Sequence, residues 1–361
     1  MAPRPHLRTA AALLTAALVL SACDGAPRES PVALPDLGAA LDQTSVSGIS
    51  SGAYMAGQFE FAHAKIVKGA AIIAGGPYGC SESIFAGAVP APGAAWLNLS
   101  KAVNGCMLDM LGMWGVANPT DLAAKATRRA ERDEIDPIAD VASDKVYLFS
   151  GKEDRTVAPT IVKAAADFYR TIGVPEADIK FVSTYPAGHA FVTDDQGGAC
   201  GLSEKPYVVD CDYDQAGDLL AHIYGPLKPR ASTPGGAFIV FDQKPFKPTA
   251  ELDGLADRGV VYVPHACREK AGCRIHVAFH GCAQNRETVG DVFISESGFA
   301  RWADANSLIV LYPQVATTPL NAQACWDWWG YTGGGYLTRS APQIAAVYAM
   351  LQRLSGAGPP S

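Results

Sequence analysis

Apolar positions along the chain fall into short unbroken runs separated by stretches with helical spacing. Val67 to Ile73, Val146 to Ser150, Ile179 to Thr184, Val260 to Val263, Ile275 to Phe279 and Leu308 to Tyr312 read as buried strands. Between them, Ala53 to His63, Pro159 to Ile172, Phe299 to Asn306 and Pro342 to Leu354 repeat their apolar residues with the period of a helix. Strands without polar alternation are covered on both faces, and strand–helix alternation builds a mostly parallel sheet. The expected fold class is therefore α/β, as one domain over residues 41–361 with a loop-rich middle between Gly75 and Asp136. No internal repeat is visible.

The first residues follow another logic. Arg4 and Arg8 precede an apolar run from Thr9 to Leu20, too short to span a bilayer and of the length of an export signal. The run ends in Leu20-Ser21-Ala22-Cys23, similar to a bacterial lipobox, in which the cysteine is lipidated. Residues 1–22 are expected to be a lipoprotein signal peptide and 23–40 a flexible tether of Pro, Gly, Ser and charges. The expected location is outside the cytoplasm, anchored to a bacterial membrane through Cys23 at the periplasmic or cell surface; an ordinary secretory signal is the alternative.

Composition narrows the classes. The 361 residues are 48% apolar and 18% charged, as in a globular protein. Lys and Arg number 29 against 36 Asp and Glu, a net charge of −7, which excludes the basic footprint of a nucleic-acid partner. Of nine cysteines, Cys23 belongs to the lipobox. The even remainder in an exported chain implies disulfides, with Cys200–Cys211 and Cys267–Cys273 the nearest pairs. A zinc site is disfavoured: there is no C-x-x-C and no H-E-x-x-H. His276 and His280 share a β-type run that would hold them about 13 Å apart.

Gly48-Ile49-Ser50-Ser51-Gly52 matches G-x-S-x-G. In that pattern the serine sits on a strained strand-to-helix turn and the glycines keep side chains out of the crowded elbow. Alone the match is weak, because a Gly-rich turn with a buried hydroxyl reads the same. Ser50 as nucleophile needs a base, and the base an acid that holds its tautomer. Asp154, just beyond the strand ending at Ser150, and His189, in the loop after the next strand, stand where acid and base belong. Glu153 is the rival acid. His63 and His222 read as packing or surface residues, and His265 has no strand-end position. One oxyanion-hole N–H is expected from Ser51, which follows the nucleophile. The His280-Gly281-Cys282 turn has the form of the second donor loop, but it lies about 230 residues after Ser50. That order requires a circular permutation.

Gly48–Met55, Ala74-Gly75-Gly76-Pro77-Tyr78, Ala187-Gly188-His189, Phe279–Gln284 and Cys325-Trp326-Asp327-Trp328-Trp329-Gly330-Tyr331 together resemble the poly(3-hydroxybutyrate) depolymerase family, in its circularly permuted single-domain branch. The resemblance covers essentially everything after residue 41. It implies a permuted α/β-hydrolase fold and a triad of Ser50, Asp154 and His189. It also implies an oxyanion hole from the Ser51 and Cys282 amides, no cofactor, and a polyester polymer or oligomer as substrate. The chain departs from many members in lacking a separate polymer-binding domain. Trp326, Trp328 and Trp329 are candidate substrate-binding residues forming an apolar wall near Ser50, with core packing as the competing role. Two other functions stay open: a carboxylesterase for acetyl or feruloyl sugar esters, and a non-catalytic lipoprotein that binds polyester granules.

Overall fold

The computed structural model describes residues 31–83, 93–249 and 252–357 together with positions 1 and 89. The export signal, Cys23 and the first part of the expected tether lie outside the described residues. Residues 31–361 form one compact unit.

Eleven strands are present among the described residues: β1 (Thr44–Ile49), β2 (Val67–Ile73), β3 (Lys145–Phe149), β4 (Ile179–Val182), β5 (Phe191–Thr193), β6 (Gly198–Ala199), β7 (Val208–Asp210), β8 (Ala237–Asp242), β9 (Arg258–Val263), β10 (Arg274–Phe279) and β11 (Leu308–Tyr312). Eight form one sheet in the order β4-β3-β2-β1-β10-β11-β9-β8. From β4 to β11 every neighbour is parallel, and β9 and β8 close one edge as an antiparallel pair. The chain's first four strands make one half of the sheet and its last four the other. The halves meet where β1 pairs with β10, Gly48 opposite Phe279. This is the α/β-hydrolase architecture with its halves exchanged in sequence, as the late position of His280-Gly281-Cys282 required. β5, β6 and β7 form a separate three-stranded sheet that the hydrophobic pattern did not announce.

β1 is buried along its whole length, and so is helix α1 (Ser51–Ala62) behind it. A helix buried all round carries no amphipathic stripe, which is why its small residues (Gly52, Ala53, Ala56, Gly57) matter: they let the axis lie close to the sheet. One core cluster packs on α1's side of the sheet, around Phe59, Phe61, Val277 and Trp326. A second packs on the other face, around Ile73, Tyr147, Phe191 and Tyr312.

Two readings change. Part of the supposed tether is structured, since Val32 donates to the Val240 carbonyl and accepts from Asp242, while Leu34 is buried in the core. Three apolar side chains among the prolines are enough to tie that segment to the edge strand. The supposed loop-rich middle contains the helices Gly93–Cys106 and Pro119–Glu131. The second begins with Asn118 capping the Thr120 and Asp121 N–H groups and Pro119 in the first turn, a regular start signal. The first leaves Trp96, Leu97 and Val103 exposed, so its apolar residues do not mark one buried face.

The eight remaining cysteines form four disulfides: Cys80–Cys106, Cys200–Cys211, Cys267–Cys273 and Cys282–Cys325. The two pairs nearest in sequence join as expected. Among the described residues no helix is long and apolar enough to cross a membrane.

Candidate active site

At the end of β1 the backbone turns sharply into α1. Ser50 occupies the turn with φ 57° and ψ −120°, a conformation a non-glycine residue adopts only where its surroundings enforce it. Its N–H donates to the Ile73 carbonyl at 2.9 Å, which pins the elbow to β2. The glycines on either side are sterically required. A Cβ on Gly48 would lie 2.1 Å from the Gly52 carbonyl oxygen. One on Gly52 would lie 2.3 Å from the Phe279 oxygen and 2.4 Å from that of His280. Gly52 thus lets the start of α1 touch the end of β10, bringing Ser51 beside the His280-Gly281-Cys282 turn.

Asp154 and His189 arrive from loops after β3 and β4. The Asp154 Oδ2 accepts from His189 Nδ1 at 2.8 Å, and both side chains are buried. The other carboxylate oxygen accepts the Thr156 and Val157 N–H groups at 2.8 and 2.9 Å, so the carboxylate is held from both sides. His189 is fixed through its backbone, whose N–H donates to Ser203 Oγ at 2.7 Å. With Nδ1 engaged by the carboxylate, Nε2 is the nitrogen left for proton transfer. Glu153 is exposed and its backbone N–H donates to the Ala187 carbonyl, so the rival acid plays no part in this cluster.

Ser50 and His189 open onto one cavity of about 140 Å³, whose wall includes Met107, Tyr207, Cys282 and Gln284. Ser51 opens α1, and the first N–H groups of a helix have no intrahelical acceptor, so its amide is available to a ligand. The Cys282 side chain is tied to Cys325. Among the described residues no group of three or more His, Cys, Asp or Glu is arranged to hold a metal ion. The cavity can therefore offer a hydroxyl, a carboxylate-oriented imidazole and backbone donors, the parts that acyl transfer needs.

The expected tryptophan wall is not there. Trp326, Trp328 and Trp329 are buried, and none of them lines the Ser50 cavity. Trp326 packs edge-on against Phe279, and Trp328 stacks on Tyr54 of α1 with ring centres 4.1 Å apart. Trp329 leans on Tyr331 and borders a separate shallow groove with Trp96 and Leu320. The Asp327 carboxylate accepts the N–H groups of Gly330, Tyr331 and Thr332. Neighbouring residues of the motif thereby fold into a tight turn, and the rings back the elbow. Three further histidines lie elsewhere: His63 stacked on Tyr348, His222 bonded to the Asp178 carbonyl and His265 exposed beside Glu269.

Sequence reasoning missed Met107, Thr156, Ser203 and Tyr207 in the cavity. Only Gln284 had a signal, as the last residue of the Phe279–Gln284 block. Its Oε1 accepts the Gly281 N–H, and its amide donates to the carbonyls of Pro206 and Tyr207.

No family model matches the chain. The chain is 38% identical over 346 residues to a poly(3-hydroxybutyrate) depolymerase of Delftia acidovorans, a match covering 94% of this chain. It spans 65% of that relative's length. It is 31% identical over 350 residues to a polyhydroxybutyrate depolymerase of Talaromyces funiculosus, covering 91% of this chain and 94% of that protein. Among solved structures, a PHB depolymerase carrying a serine-to-alanine substitution and complexed with an R3HB trimer superposes with a TM-score of 0.79 at 29% identity, covering 91% of this chain and all of that one. The PHB depolymerase from Penicillium funiculosum matches with a TM-score of 0.78 over the same share.

Proposed function

The chain belongs to the poly(3-hydroxybutyrate) depolymerase family, and from that premise we propose that it is a serine ester hydrolase cleaving poly(3-hydroxybutyrate) or its oligomers. The observation that carries the reading is the Asp154–His189 pair facing the cavity into which the strained Ser50 elbow opens. Ser50 Oγ attacks the ester carbonyl carbon while its proton passes to His189 Nε2. The carbonyl oxygen becomes an oxyanion and accepts the Ser51 and Cys282 N–H groups. As the intermediate collapses, the carbon–oxygen bond to the leaving hydroxyacid breaks, and that oxygen takes the proton from His189. Water then attacks the Ser50 ester with His189 again as base, freeing the second product and Ser50. Asp154 keeps the imidazole in the tautomer that presents Nε2 and stabilises the imidazolium as it forms.

The substrate assignment leans on the relatives, two of which are polyhydroxybutyrate depolymerases and one of which holds an R3HB trimer. Four disulfides fit an oxidising compartment, which agrees with export. Lipidation of Cys23 after removal of residues 1–22 belongs to the same proposal and rests on Leu20-Ser21-Ala22-Cys23 alone.

The test is hydrolysis by the purified protein beside Ser50→Ala, on amorphous poly(3-hydroxybutyrate), hydroxybutyrate oligomers and an acetyl or feruloyl sugar ester. Serine-dependent release of hydroxybutyrate is expected, with a loss of at least ~10⁴-fold in the variant. Turnover confined to the sugar ester would move the substrate and keep the triad. Equal rates for both proteins would sink the reading.

A further inference from the structure

The peptide unit between Gly281 and Cys282 contains both the Gly281 carbonyl and the Cys282 N–H. In a planar trans peptide these point in opposite directions, so whatever grips the carbonyl also aims the N–H. His280 Nδ1 lies 2.8 Å from the Gly281 oxygen. A carbonyl oxygen only accepts, so Nδ1 carries the proton. The other ring nitrogen fits that tautomer, because Nε2 accepts the Val315 N–H at 3.2 Å, from the loop after β11. The ring is fully buried, and burial pushes its pKa down to about 4, so the neutral form persists at ordinary pH. Two weaker ties accompany it: the Gln284 N–H reaches the same carbonyl at 3.3 Å, and Gln284 Oε1 accepts the Gly281 N–H at 2.7 Å.

The same ring touches the other half of the expected oxyanion hole. His280 packs against Trp326, ring centres 5.6 Å apart, and the Trp326 N–H donates to Ser51 Oγ at 3.3 Å. One buried imidazole therefore couples β11, the Gly281–Cys282 peptide and the start of α1.

We infer that His280 is a positioning residue for the oxyanion hole: by holding the Gly281 carbonyl away from the cavity it keeps the Cys282 N–H directed into it. The inference rests on the proposed role of the Cys282 amide. Without the imidazole donor the peptide is free to rotate. Rotation would replace a donor with a carbonyl oxygen facing the developing negative charge, which opposes the reaction.

Two amide substitutions divide the ring's bonds between them. The Asn amide nitrogen can occupy the Nδ1 position, so His280→Asn can keep the bond to Gly281 and give up Val315. In His280→Gln the longer amide reaches the Nε2 position, keeping Val315 and giving up Gly281. The measurements are kcat and KM on p-nitrophenyl butyrate, affinity for butylboronic acid as a tetrahedral oxyanion mimic, and the melting temperature. For His280→Gln we expect kcat to fall about 100-fold, the loss of one oxyanion donor, with boronate affinity falling in parallel and KM nearly unchanged. His280→Asn should recover at least about tenfold of that loss. A purely structural role would lower both melting temperatures and leave the kcat per folded molecule alike in the two variants, which would overturn the inference. So would wild-type kcat and boronate affinity in His280→Gln while Ser50→Ala is inactive. Full activity in Ser50→Ala would instead bring down the hydrolase reading, and this inference with it.

Discussion

Along β1 the chain offers serines to two buried histidines. Ser45 Oγ lies 2.7 Å from His276 Nδ1, and Ser47 Oγ lies 2.8 Å from its Nε2. Three residues further on, Ser50 shares a cavity with His189. The first group has every contact a catalytic pair could want and none of the consequences. Ser45 and Ser47 sit in regular strand with no exposure, and both nitrogens of His276 are already engaged by hydroxyls. No carboxylate stands behind the ring, and burial alone pushes its pKa down to about 3. A proton taken from either serine would create an ion pair in the core with no group to stabilise it. At Ser50 the arrangement is reversed. The serine leaves the strand through a positive φ and faces a cavity, Asp154 engages one nitrogen of His189, and the second nitrogen is left for the substrate's chemistry. Serine and histidine in contact are thus insufficient; an orienting acid and an open face distinguish a site from a core network.

The largest effect expected from attacking this contrast is at the acid. Asp154→Asn should lower kcat about 10⁴-fold, equivalent to roughly 5.5 kcal/mol of barrier, with the fold retained. Glu153→Gln should leave kcat within about a factor of three, as surface changes usually do. Assaying both on a soluble hydroxybutyrate ester checks this, and the opposite pattern would assign the acid to Glu153. Next in size is the core network. His276→Leu leaves two strand serines short of a partner and should cost about 2–4 kcal/mol in a urea melt. Its kcat per folded molecule should stay near wild type. A collapse of kcat with unchanged stability would place His276 in the reaction and erase the distinction drawn above.

The smallest effect is in the acid dependence of stability. Burial lowers the folded-state pKa of His276 from 6.5 to about 3, and those of His63 and His280 to about 4. As pH falls below 6.5, the unfolded chain takes up protons that the folded chain refuses, so stability falls until the folded-state values are reached. Each such histidine contributes a slope of about 1.4 kcal/mol per pH unit inside its window. Chemical melts between pH 6 and 4.5 should therefore give a gentler slope for His276→Leu, by roughly one proton. An unchanged slope would mean that the ring is protonated in the fold.

The parts of the site that were legible are those whose reason is local. Gly48 and Gly52 flank Ser50 because a Cβ at either position would collide with backbone, and such a requirement leaves a mark within five residues. Asp154 and His189 were found by one step more, from the rule that catalytic loops follow strands of a parallel sheet. Gln284 stood inside a recognisable block, though its three bonds to Gly281, Pro206 and Tyr207 did not show there. Met107 and Tyr207 left no mark at all: each belongs to a segment that reaches the cavity only because other elements place it. The tryptophans misled because a ring beside a catalytic block can face either way. Here Tyr54 and Phe279 offered broad apolar partners on the inner side, and an aromatic ring gains most from being covered.

By itself, then, the sequence determined the elements of the sheet, their order along the chain, the strained elbow and the candidate acid and base, since sterics and periodicity act between near neighbours. Only the tertiary structure decided that β1 lies against β10, joining Ser51 to a turn more than two hundred residues away. It also decided which histidine received a carboxylate and which received two hydroxyls. Those outcomes depend on contacts between distant segments, whose energies arise from packing and desolvation that no short stretch of chain encodes alone.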